Sequence, residues 1–441
     1  MTQKLSIVPF LCLFAVAALG FLFPSIPGPM VTEGLNNGDI AWMLVATALV
    51  LIMTPGLALF YGGMVNSRNV ISTMLQSFVC MGIISVLWVT VGFSLAFGDS
   101  IGGFIGDPRT YFMFKGVLDG KPWSLATTIP LVLFAFFQLK FAVITPALIT
   151  GSFSERIKFT SYILFMCLFS MLIYAPIAHW TWHPDGFLFK MGVLDFAGGT
   201  VVHISAGCAA LAAALYLGKR KVEAEITPAN IPFVLLGTGL LWFGWFGFNA
   251  GSAVGAGGLA AIAFATTNTA AAAAGIAWMF FDAAKGKKPT AMGFCIGAVV
   301  GLVAITPAAG FVSIPSSIFI GFVASIISNL VVSWRAKTGL DDTLDVFPCH
   351  GVGGIVGMLM TGIFAHTAIN SANTTGNGLR FGETSLFTTH LLGLGIVIAF
   401  SFVGAYVLLV ITNLISPLRV SEEEEKVGLD LSQHEEKILM A

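Results

Sequence analysis

Charged side chains are scarce in this chain of 441 residues: Asp, Glu, Lys and Arg together make up 10% of it, whereas hydrophobic residues make up 56%. Soluble domains carry about 25% charged residues, so the composition excludes a soluble protein and indicates an integral membrane protein. The net charge at pH 7 is −1. A net charge this close to zero gives no indication of nucleic-acid binding.

Cysteine is also scarce, and its placement does not suggest a metal site or disulfides. The six cysteines lie singly in mostly apolar stretches, at Cys12, Cys80, Cys167, Cys208, Cys295 and Cys349. No two of them have the spacing of zinc ligands or of a disulfide framework, so we expect small buried residues, no metal and no cofactor. The 50 glycines follow no three-residue period, which excludes collagen and favours close helix packing.

Long hydrophobic runs predict an all-α membrane protein. Residues 1–23 hold an apolar run that suits either a secretory signal peptide or a retained extra N-terminal helix. Eleven further transmembrane helices are predicted, since about 20 apolar residues can span a bilayer. Their predicted limits are 41–62, 70–98, 125–150, 159–178, 198–217, 231–250, 257–281, 291–307, 313–334, 348–365 and 386–415.

The distribution of basic residues predicts the orientation. If the first of the eleven spans begins outside, twelve Lys and Arg residues face inward and five face outward. The inward set is Arg68, Arg156, Lys158, Lys219, Arg220, Lys221, Lys285, Lys287, Lys288, Arg335, Lys337 and Arg419; the outward set is Arg109, Lys115, Lys121, Lys190 and Arg380. The positive-inside rule then puts the N-terminus outside and the C-terminus inside.

Recurring motifs predict an inverted 5+5 repeat followed by a long eleventh helix. The third span of each half contains Thr-Pro-Ala, and the fifth follows an Asp and contains a His. The two sets are Thr145–Ala147, Asp195 and His203, and Thr306–Ala308, Asp345 and His350. The Asp and His are eight residues apart in the first half and five in the second. Inverted repeats place a site near the bilayer midplane, at the interface of the two halves.

His203 and His350 are the main candidates for chemistry, because equivalent positions in inverted halves should meet near the pseudo-two-fold axis. An ionisable residue within a membrane span suggests a functional site. Two neutral imidazoles offer donors and acceptors that suit a small neutral molecule or a proton relay. The alternatives are two unrelated histidines bonded to helix carbonyls, or a metal site. Two histidines alone lack ligands for zinc.

Aromatic residues at helical spacing form a second candidate site near the outer ends of the spans. Its members are Trp182 in an expected outer loop, Phe137 and Phe141 on the third span, and Trp245, Phe248 and Ser252 on the sixth. Helical spacing puts each of the last two sets on one face. Rings can bind a cation and a serine oxygen can accept a hydrogen bond. The alternative is ordinary lipid-facing or core aromatics.

The remaining ionisable groups are expected in supporting roles. Asp195 lies before its helix and suits a cap that binds free N–H groups, with a cation site as the alternative. His179, His183, His366, His390 and His434 are expected to be interfacial or solvated. The polar tail from Arg419 is either solvated or a regulatory segment that docks on the basic loops.

Four motifs resemble the ammonium transporter family (Amt/Mep/Rh), most of all its bacterial Amt members. They are Asp195-Phe-Ala-Gly-Gly-Thr-Val-Val-His203, Gly244-Trp-Phe-Gly-Phe-Asn-Ala-Gly-Ser252, Phe60-Tyr-Gly-Gly63 and His350-Gly-Val-Gly-Gly354. The likeness runs from about residue 38 to the tail. It implies a membrane domain over 38–418, a cytoplasmic regulatory tail over 419–441, and a homotrimer in the cell inner membrane with one pore per protomer.

The resemblance also implies residue roles. The outer ammonium recruitment site is matched by Trp182, Phe141 and Ser252. The stacked gate is matched by Phe141 and Phe248, with Phe137 and Trp245 next to them. The twin-histidine pair is matched by His203 and His350. Asp195 matches a buried aspartate that anchors the outer site, and Asp345 is taken as its counterpart. Gly428-Leu429-Asp430 resembles the segment that couples protomers. In bacterial members, a PII-type signalling protein plugs the cytoplasmic face.

Two residues depart from the family pattern. Lys140 stands where small or apolar residues are usual, and Glu435 follows His434 where glycine is common. The first leaves the electrostatics of the outer site open, and the second leaves tail docking and PII contact open.

The implied substrate agrees with simple electrostatics. Moving an intact ion of this size into a medium of low dielectric costs on the order of 20 kcal/mol before relaxation. Ammonium can leave its proton at the threshold and pass as ammonia, whereas potassium cannot. We therefore expect a transporter in nitrogen metabolism, not an enzyme. The alternatives are an ammonium sensor that transports little, an ion-coupled secondary transporter of another small solute, and a membrane enzyme.

Overall fold

The computed structural model describes residues 7–22, 28–29, 31–222 and 227–438. Helices dominate these residues, and one short antiparallel hairpin pairs β1 (Ser100–Ile101) with β2 (Ile105–Gly106). The helices are α1 Val8–Leu22, α2 Asn37–Met64, α3 Ser67–Phe97, α4 Leu131–Phe153, α5 Phe159–Met191, α6 Gly199–Leu217, α7 Ile231–Gly251, α8 Gly258–Ala284, α9 Ala291–Ile305, α10 Ile314–Arg335, α11 Phe347–Phe364, α12 Ser385–Ile415, α13 Glu422–Val427 and α14 Leu429–His434. Helix α5 is interrupted after Trp182 and resumes as the short piece Phe187–Met191.

Within the described residues, ten helices are long and apolar enough to cross a membrane: α2 to α8 and α10 to α12. These ten correspond to ten of the eleven predicted spans. The predicted span at 291–307 corresponds to the shorter α9, whose helix ends at Ile305 just before Pro307. The predicted segment 1–23 contains α1, which has no buried residue; residues 1–6 and 23 lie outside the described part.

The start of the third span and the end of the fourth span were predicted wrongly. The third span begins at Leu131 instead of residue 125, because Pro130 takes an extended conformation just before the helix. The fourth span does not end at residue 178. It continues through a π-helical turn, Ser170–Tyr174, and its last regular turn ends at Trp182. Trp182 therefore lies at a helix end and not in an outer loop.

Glycine allows the two halves of the membrane domain to pack closely. Helices α2 and α7 approach so tightly that a Cβ added at Gly237 would lie 2.5 Å from the amide nitrogen of Phe60. A Cβ added at Gly63 would lie 2.6 Å from the carbonyl oxygen of Asn230. Small residues permit such contact between membrane helices, where packing is the main source of stability.

The two Thr-Pro-Ala sequences that suggested the repeat lie in different surroundings. Pro146 lies inside α4, which continues to Phe153. Pro307 follows the end of α9, where Thr306 accepts a hydrogen bond of 2.9 Å from the indole nitrogen of Trp245. This pair of motifs is thus equivalent in sequence but not in local structure.

The C-terminal tail docks against the loops at one end of the membrane domain. The carboxylate of Asp430 accepts hydrogen bonds from the amides of Ile71 (3.1 Å) and Ser72 (2.7 Å) at the start of α3. Glu425 is buried, accepts from the amide of Lys221 (2.5 Å) and pairs with Arg419 at 2.9 Å. Of the two alternatives for the tail, residues 422–434 therefore agree with docking on the loops and not with a solvated segment.

Candidate functional site

The carboxylate of Asp195 organises the start of α6. One of its oxygens accepts hydrogen bonds from the amides of Gly198 (2.8 Å) and Gly199 (2.6 Å), and the other accepts from the amide (2.7 Å) and the hydroxyl of Thr200. Gly198 has a φ of +114°, which favours glycine. Because both carboxylate oxygens of this buried residue are engaged, Asp195 is a helix cap and not a free ligand.

The equivalent residue at the start of α11 is Asp342, so the prediction of Asp345 as the counterpart was wrong. Asp342 is completely buried, and its carboxylate accepts a hydrogen bond of 2.8 Å from the amide of Phe347. It precedes His350 by eight residues, as Asp195 precedes His203. The sequence signal was this equal spacing.

Asp345 occupies the place that Gly198 has in the first half, because it has a φ of +55° three residues after Asp342. Its carboxylate pairs with the Arg335 guanidinium at 2.6 Å. Burial raises the pKa of Asp345 to about 6, and the Arg335 charge only partly opposes this. Asp345 therefore anchors the end of α10 to the start of α11 and does not cap α11 itself.

His203 and His350 face each other where α6 crosses α11. Each lies in a π-helical turn, Gly199–Ile204 and Phe347–Val352 respectively, and wide turns of this kind are frequent at functional sites. A Cβ added at Gly207 would lie only 2.2 Å from the amide nitrogen of Gly351, so the backbones are in direct contact. The two Nδ1 atoms are 3.4 Å apart.

This contact defines the protonation states that the neutral pair can take. One Nδ1 must carry the proton and donate it while the other accepts. The rings are almost fully buried, and Nε2 of His203 has no hydrogen-bond partner within the described residues. The ring of Trp245 stacks on His203, with centroids 5.4 Å apart. The pair is thus held by packing and leaves one nitrogen free for a small guest.

An aromatic cavity of about 150 Å³ lies at the end of the membrane domain away from the tail. Its lining residues are Trp123, Leu125, Phe134, Phe137, Gln138, Phe141, Trp182, Phe196, Ser252 and Val254. The indole N–H of Trp182 donates to the carbonyl oxygen of Asp195 at 3.0 Å, which sets the orientation of its ring. The hydroxyl of Ser252 donates to the carbonyl of Phe248 (2.8 Å), which leaves its oxygen able to accept.

The rings of Phe141 and Phe248 close the inner end of the aromatic cavity. Their centroids are 4.2 Å apart with planes tilted by 30°. Beyond them lies a histidine cavity of about 10 Å³, lined by Met53, Leu57, Phe60, Ile144, Leu148, Val202, His203, Leu241, Trp245, Phe248, Val299 and His350. A void of this volume is about the size of one water molecule. Its only polar side chains are the two imidazoles and the Trp245 indole, whose N–H is already bonded to Thr306.

A third void, the tail-side cavity of about 30 Å³, begins on the other side of His350. His350, Phe60 and Val299 line both it and the histidine cavity, and Asp345 lies at its wall. The aromatic, histidine and tail-side cavities therefore follow one another through the membrane domain. Two aromatic rings separate the first from the second, and His350 borders the second and the third.

Several predicted residues lie outside this row of cavities. Lys140 does not line any of the three; its Nζ lies 5.7 Å from the ring centroid of Phe136. His179, His183 and His390 are buried, so the expectation that they are interfacial or solvated was wrong. No group of three His, Cys, Asp or Glu residues within the described chain could hold a metal ion.

Comparison with known proteins identifies the family. The sequence profile of the Ammonium Transporter Family matches residues 41–438. The chain belongs to the ammonium transporter family. An ammonium transporter of Bacillus subtilis is 47% identical over 406 residues, which cover 91% of this chain and 98% of that protein. An ammonium transporter of Aquifex aeolicus is 48% identical and covers 91% of this chain and 93% of its own length.

The fold of this ammonium transporter family member agrees with that of a solved relative. The crystal structure of Saccharomyces cerevisiae Mep2 superposes with a TM-score of 0.83 at 36% identity and covers 89% of each chain. The likeness therefore extends over most of both chains. The family resemblance that the four sequence motifs suggested is therefore confirmed.

Proposed function

We propose that this protein takes up ammonium across a cell membrane by recruiting NH4+ in the aromatic cavity and passing NH3 through the histidine cavity. The observation that carries the proposal is the buried pair of imidazoles, 3.4 Å apart, which lies beyond the closed constriction formed by Phe141 and Phe248. The names of the relatives in the same family support ammonium as the substrate.

Recruitment is assigned to Trp182, Phe141 and Ser252. The rings of Phe141 and Trp182 meet edge to face, with centroids 5.7 Å apart, and both line the aromatic cavity. A cation next to such rings gains about 0.5–2 kcal/mol for each ring. The Ser252 oxygen can accept one N–H of the ion. These contacts are enough to concentrate ammonium but not to carry it deeper as an ion.

Passage requires that NH4+ release its proton in the aromatic cavity. The proton crosses separately along His203 and His350 and rejoins NH3 on the inner side, so the net uptake of NH4+ carries charge. An intact ion in a space of about 10 Å³ walled by apolar side chains would lose its hydration shell, at a cost on the order of 20 kcal/mol before relaxation. Ammonia is neutral, accepts one hydrogen bond and donates three, so each imidazole can form a hydrogen bond with it as donor or as acceptor. Phe141 and Phe248, with Phe137 and Trp245 beside them, act as the gate that excludes hydrated ions.

The proposal extends to the assembly and its surroundings. The exposed apolar residues of α8 and α10, which include Phe280, Phe319 and Phe322, offer a surface for lipid or for other protomers of a homotrimer. The basic loops support an N-terminus outside and a C-terminus inside. By analogy with its bacterial relatives, we place the protein in the inner membrane, with the tail-bearing face available to a PII-type regulator. A transporter of this kind carries out no catalysis and needs no cofactor.

Replacing His203 with alanine tests the central step. In proteoliposomes on a solid-supported membrane, wild-type protein is expected to give an ammonium current and to exclude potassium. His203→Ala removes one half of the imidazole pair, so the selective ammonium current should disappear. Unchanged current together with unchanged exclusion of potassium would refute the role of the pair. Uptake of radiolabelled methylammonium by the wild type separates transport from a sensor that transports little.

A further inference from the structure

His390 is a buried histidine on α12 whose two ring nitrogens both have backbone partners. Its Nδ1 lies 2.8 Å from the carbonyl oxygen of Met358 on α11, and its Nε2 accepts the amide N–H of Leu194 at 3.1 Å. A carbonyl can only accept and an amide N–H can only donate, so Nδ1 must carry the proton and Nε2 must be bare. The side chain is fully buried, and this tautomer satisfies both nitrogens.

The bond to Leu194 holds the segment 192–198, which connects α5 to α6. The next residue in the chain is Asp195, whose carbonyl oxygen accepts the indole N–H of Trp182 and whose carboxylate caps α6. Val193 is pressed against α12, since a Cβ added at Gly393 would lie 2.9 Å from one of its methyl carbons. The segment is therefore docked on α12 immediately before the residue that fixes the Trp182 ring.

Other polar contacts also hold this segment. The amide of Val193 donates to the carbonyl oxygen of Leu188 at 3.1 Å, and further bonds lie nearer the two ends. The hydroxyl of Thr375 donates to the carbonyl of Gly192 at 2.8 Å, and the amide of Phe196 donates to the carbonyl of Pro307 at 3.1 Å. Between these two points, the amide of Leu194 is held by His390. Loss of this bond would leave a buried N–H unpaired and free the stretch that leads into Asp195.

We propose that His390 is a positioning residue for ammonium recruitment: by tying Leu194 to α11 and α12, it sets the place of the Asp195 carbonyl and thus the orientation of Trp182 in the aromatic cavity. His390 lines none of the three cavities of the row, so it acts on recruitment through this backbone segment. The inference rests on the proposed function, because it takes the aromatic cavity as the recruitment site.

Three variants of His390 distinguish positioning from packing. His390→Phe and His390→Leu fill the space without either hydrogen bond. His390→Gln can retain both, since its NH2 can donate to the Met358 carbonyl and its oxygen can accept from Leu194. Ser401→Ala on the same helix is the control, because the buried Ser401 hydroxyl has no partner within the described residues.

Uptake of radiolabelled methylammonium in proteoliposomes is the first measurement. We expect the half-saturation concentration to rise about tenfold in the Phe and Leu variants, as loss of a buried hydrogen bond implies, with maximal rates within about twofold of wild type. The Gln variant and Ser401→Ala should stay within about threefold of wild type. A half-saturation concentration unchanged in the apolar variants, or a fall in maximal rate alone, would overturn the proposal.

Amide hydrogen exchange in detergent is the second measurement, and it does not depend on transport. The peptide that contains Leu194 should exchange about tenfold faster in the apolar variants and at the wild-type rate in His390→Gln. If neither apolar variant folds, the Gln variant decides alone: a tenfold rise in its half-saturation concentration or in Leu194 exchange would overturn the proposal. A wild-type protein that takes up no methylammonium would instead refute the proposed function, while the exchange rates would still report on His390.

Discussion

Substituting Gly207 with alanine should separate the two histidines without touching either ring. Gly207 lies four residues after His203 on α6, and α11 passes directly over it. The new Cβ would lie 2.2 Å from the amide nitrogen and 2.3 Å from the Cα of Gly351, where ordinary contact begins at 3.4 Å. Both neighbours are backbone atoms, so no side-chain rotation can relieve the overlap, and the helices have to move.

The required movement is about 1.2 Å, the difference between 2.2 Å and 3.4 Å. If it acts along the line between the rings, the distance between the Nδ1 atoms of His203 and His350 grows from 3.4 Å to about 4.6 Å. A direct hydrogen bond cannot form at that distance. Overpacking of this kind typically costs about 1–3 kcal/mol, which should lower the thermal unfolding temperature without preventing folding.

The matched control is Gly239→Ala on α7, since a Cβ at Gly239 would meet nothing within 4 Å. An exposed helical Gly→Ala change is neutral or stabilises the helix by up to about 1 kcal/mol. Thermal unfolding in detergent and ammonium current in proteoliposomes should both fall for Gly207→Ala and stay near wild type for Gly239→Ala. Wild-type stability and current in folded Gly207→Ala protein would refute the inference that backbone contact sets the histidine spacing.

Two further predictions concern the ends of the row of cavities. Trp182→Phe removes the bond to the Asp195 carbonyl and should raise the half-saturation concentration for methylammonium about tenfold. The control Trp88→Phe loses an equivalent buried bond to the carbonyl of Ala135 (2.9 Å) away from the cavities and should lower stability only. Equal half-saturation concentrations in the two variants would argue against the recruitment role. Burial raises the pKa of Asp345 to about 6, so the folded state binds this proton more tightly than the unfolded chain, and the corresponding stability is lost as the pH rises from about 4 to about 6. Between pH 4 and pH 7, wild type should therefore lose up to about 3 kcal/mol more unfolding free energy than Asp345→Asn, and equal losses in thermal or denaturant unfolding would contradict this.

The sequence predicts the helical class and the proximity of the two histidines, because each follows from short stretches of sequence: hydrophobic runs in the first case and two similar motifs in the second. Hydrophobic runs of about 20 residues locate most spans within a few positions, and equivalent histidines in two similar motifs suggest a common place. The partner aspartate was missed since Asp342 and Asp345 both precede His350. The equal spacing of eight residues favours Asp342, but the positive φ that excludes Asp345 from the capping position cannot be read from the sequence.

Other errors arose where a neighbouring element decides the structure. His390 lies near the start of a 31-residue helix, where an imidazole would ordinarily reach the membrane surface. It is buried because the segment 192–198 folds over α12 and supplies a backbone amide to its ring. Trp182 was predicted in a loop because the π-helical turn at Ser170–Tyr174, which lets α5 continue, has no sequence signature of its own.

The spacing of the two imidazoles is set by contacts from both helices. Each helix carries a glycine four residues after its histidine: Gly207 on α6 and Gly354 on α11. Gly207 lies on the backbone of His350 and Gly351, and a Cβ at Gly354 would lie 3.2 Å from the Cβ of His203. Gly207 thus contacts α11 next to His350, and Gly354 contacts α6 next to His203. A shift of either helix therefore changes both contacts together. The width of the histidine cavity is therefore a property of the helix crossing. We therefore expect the helix crossing to oppose widening for a hydrated ion, which agrees with the proposed passage of a single neutral molecule.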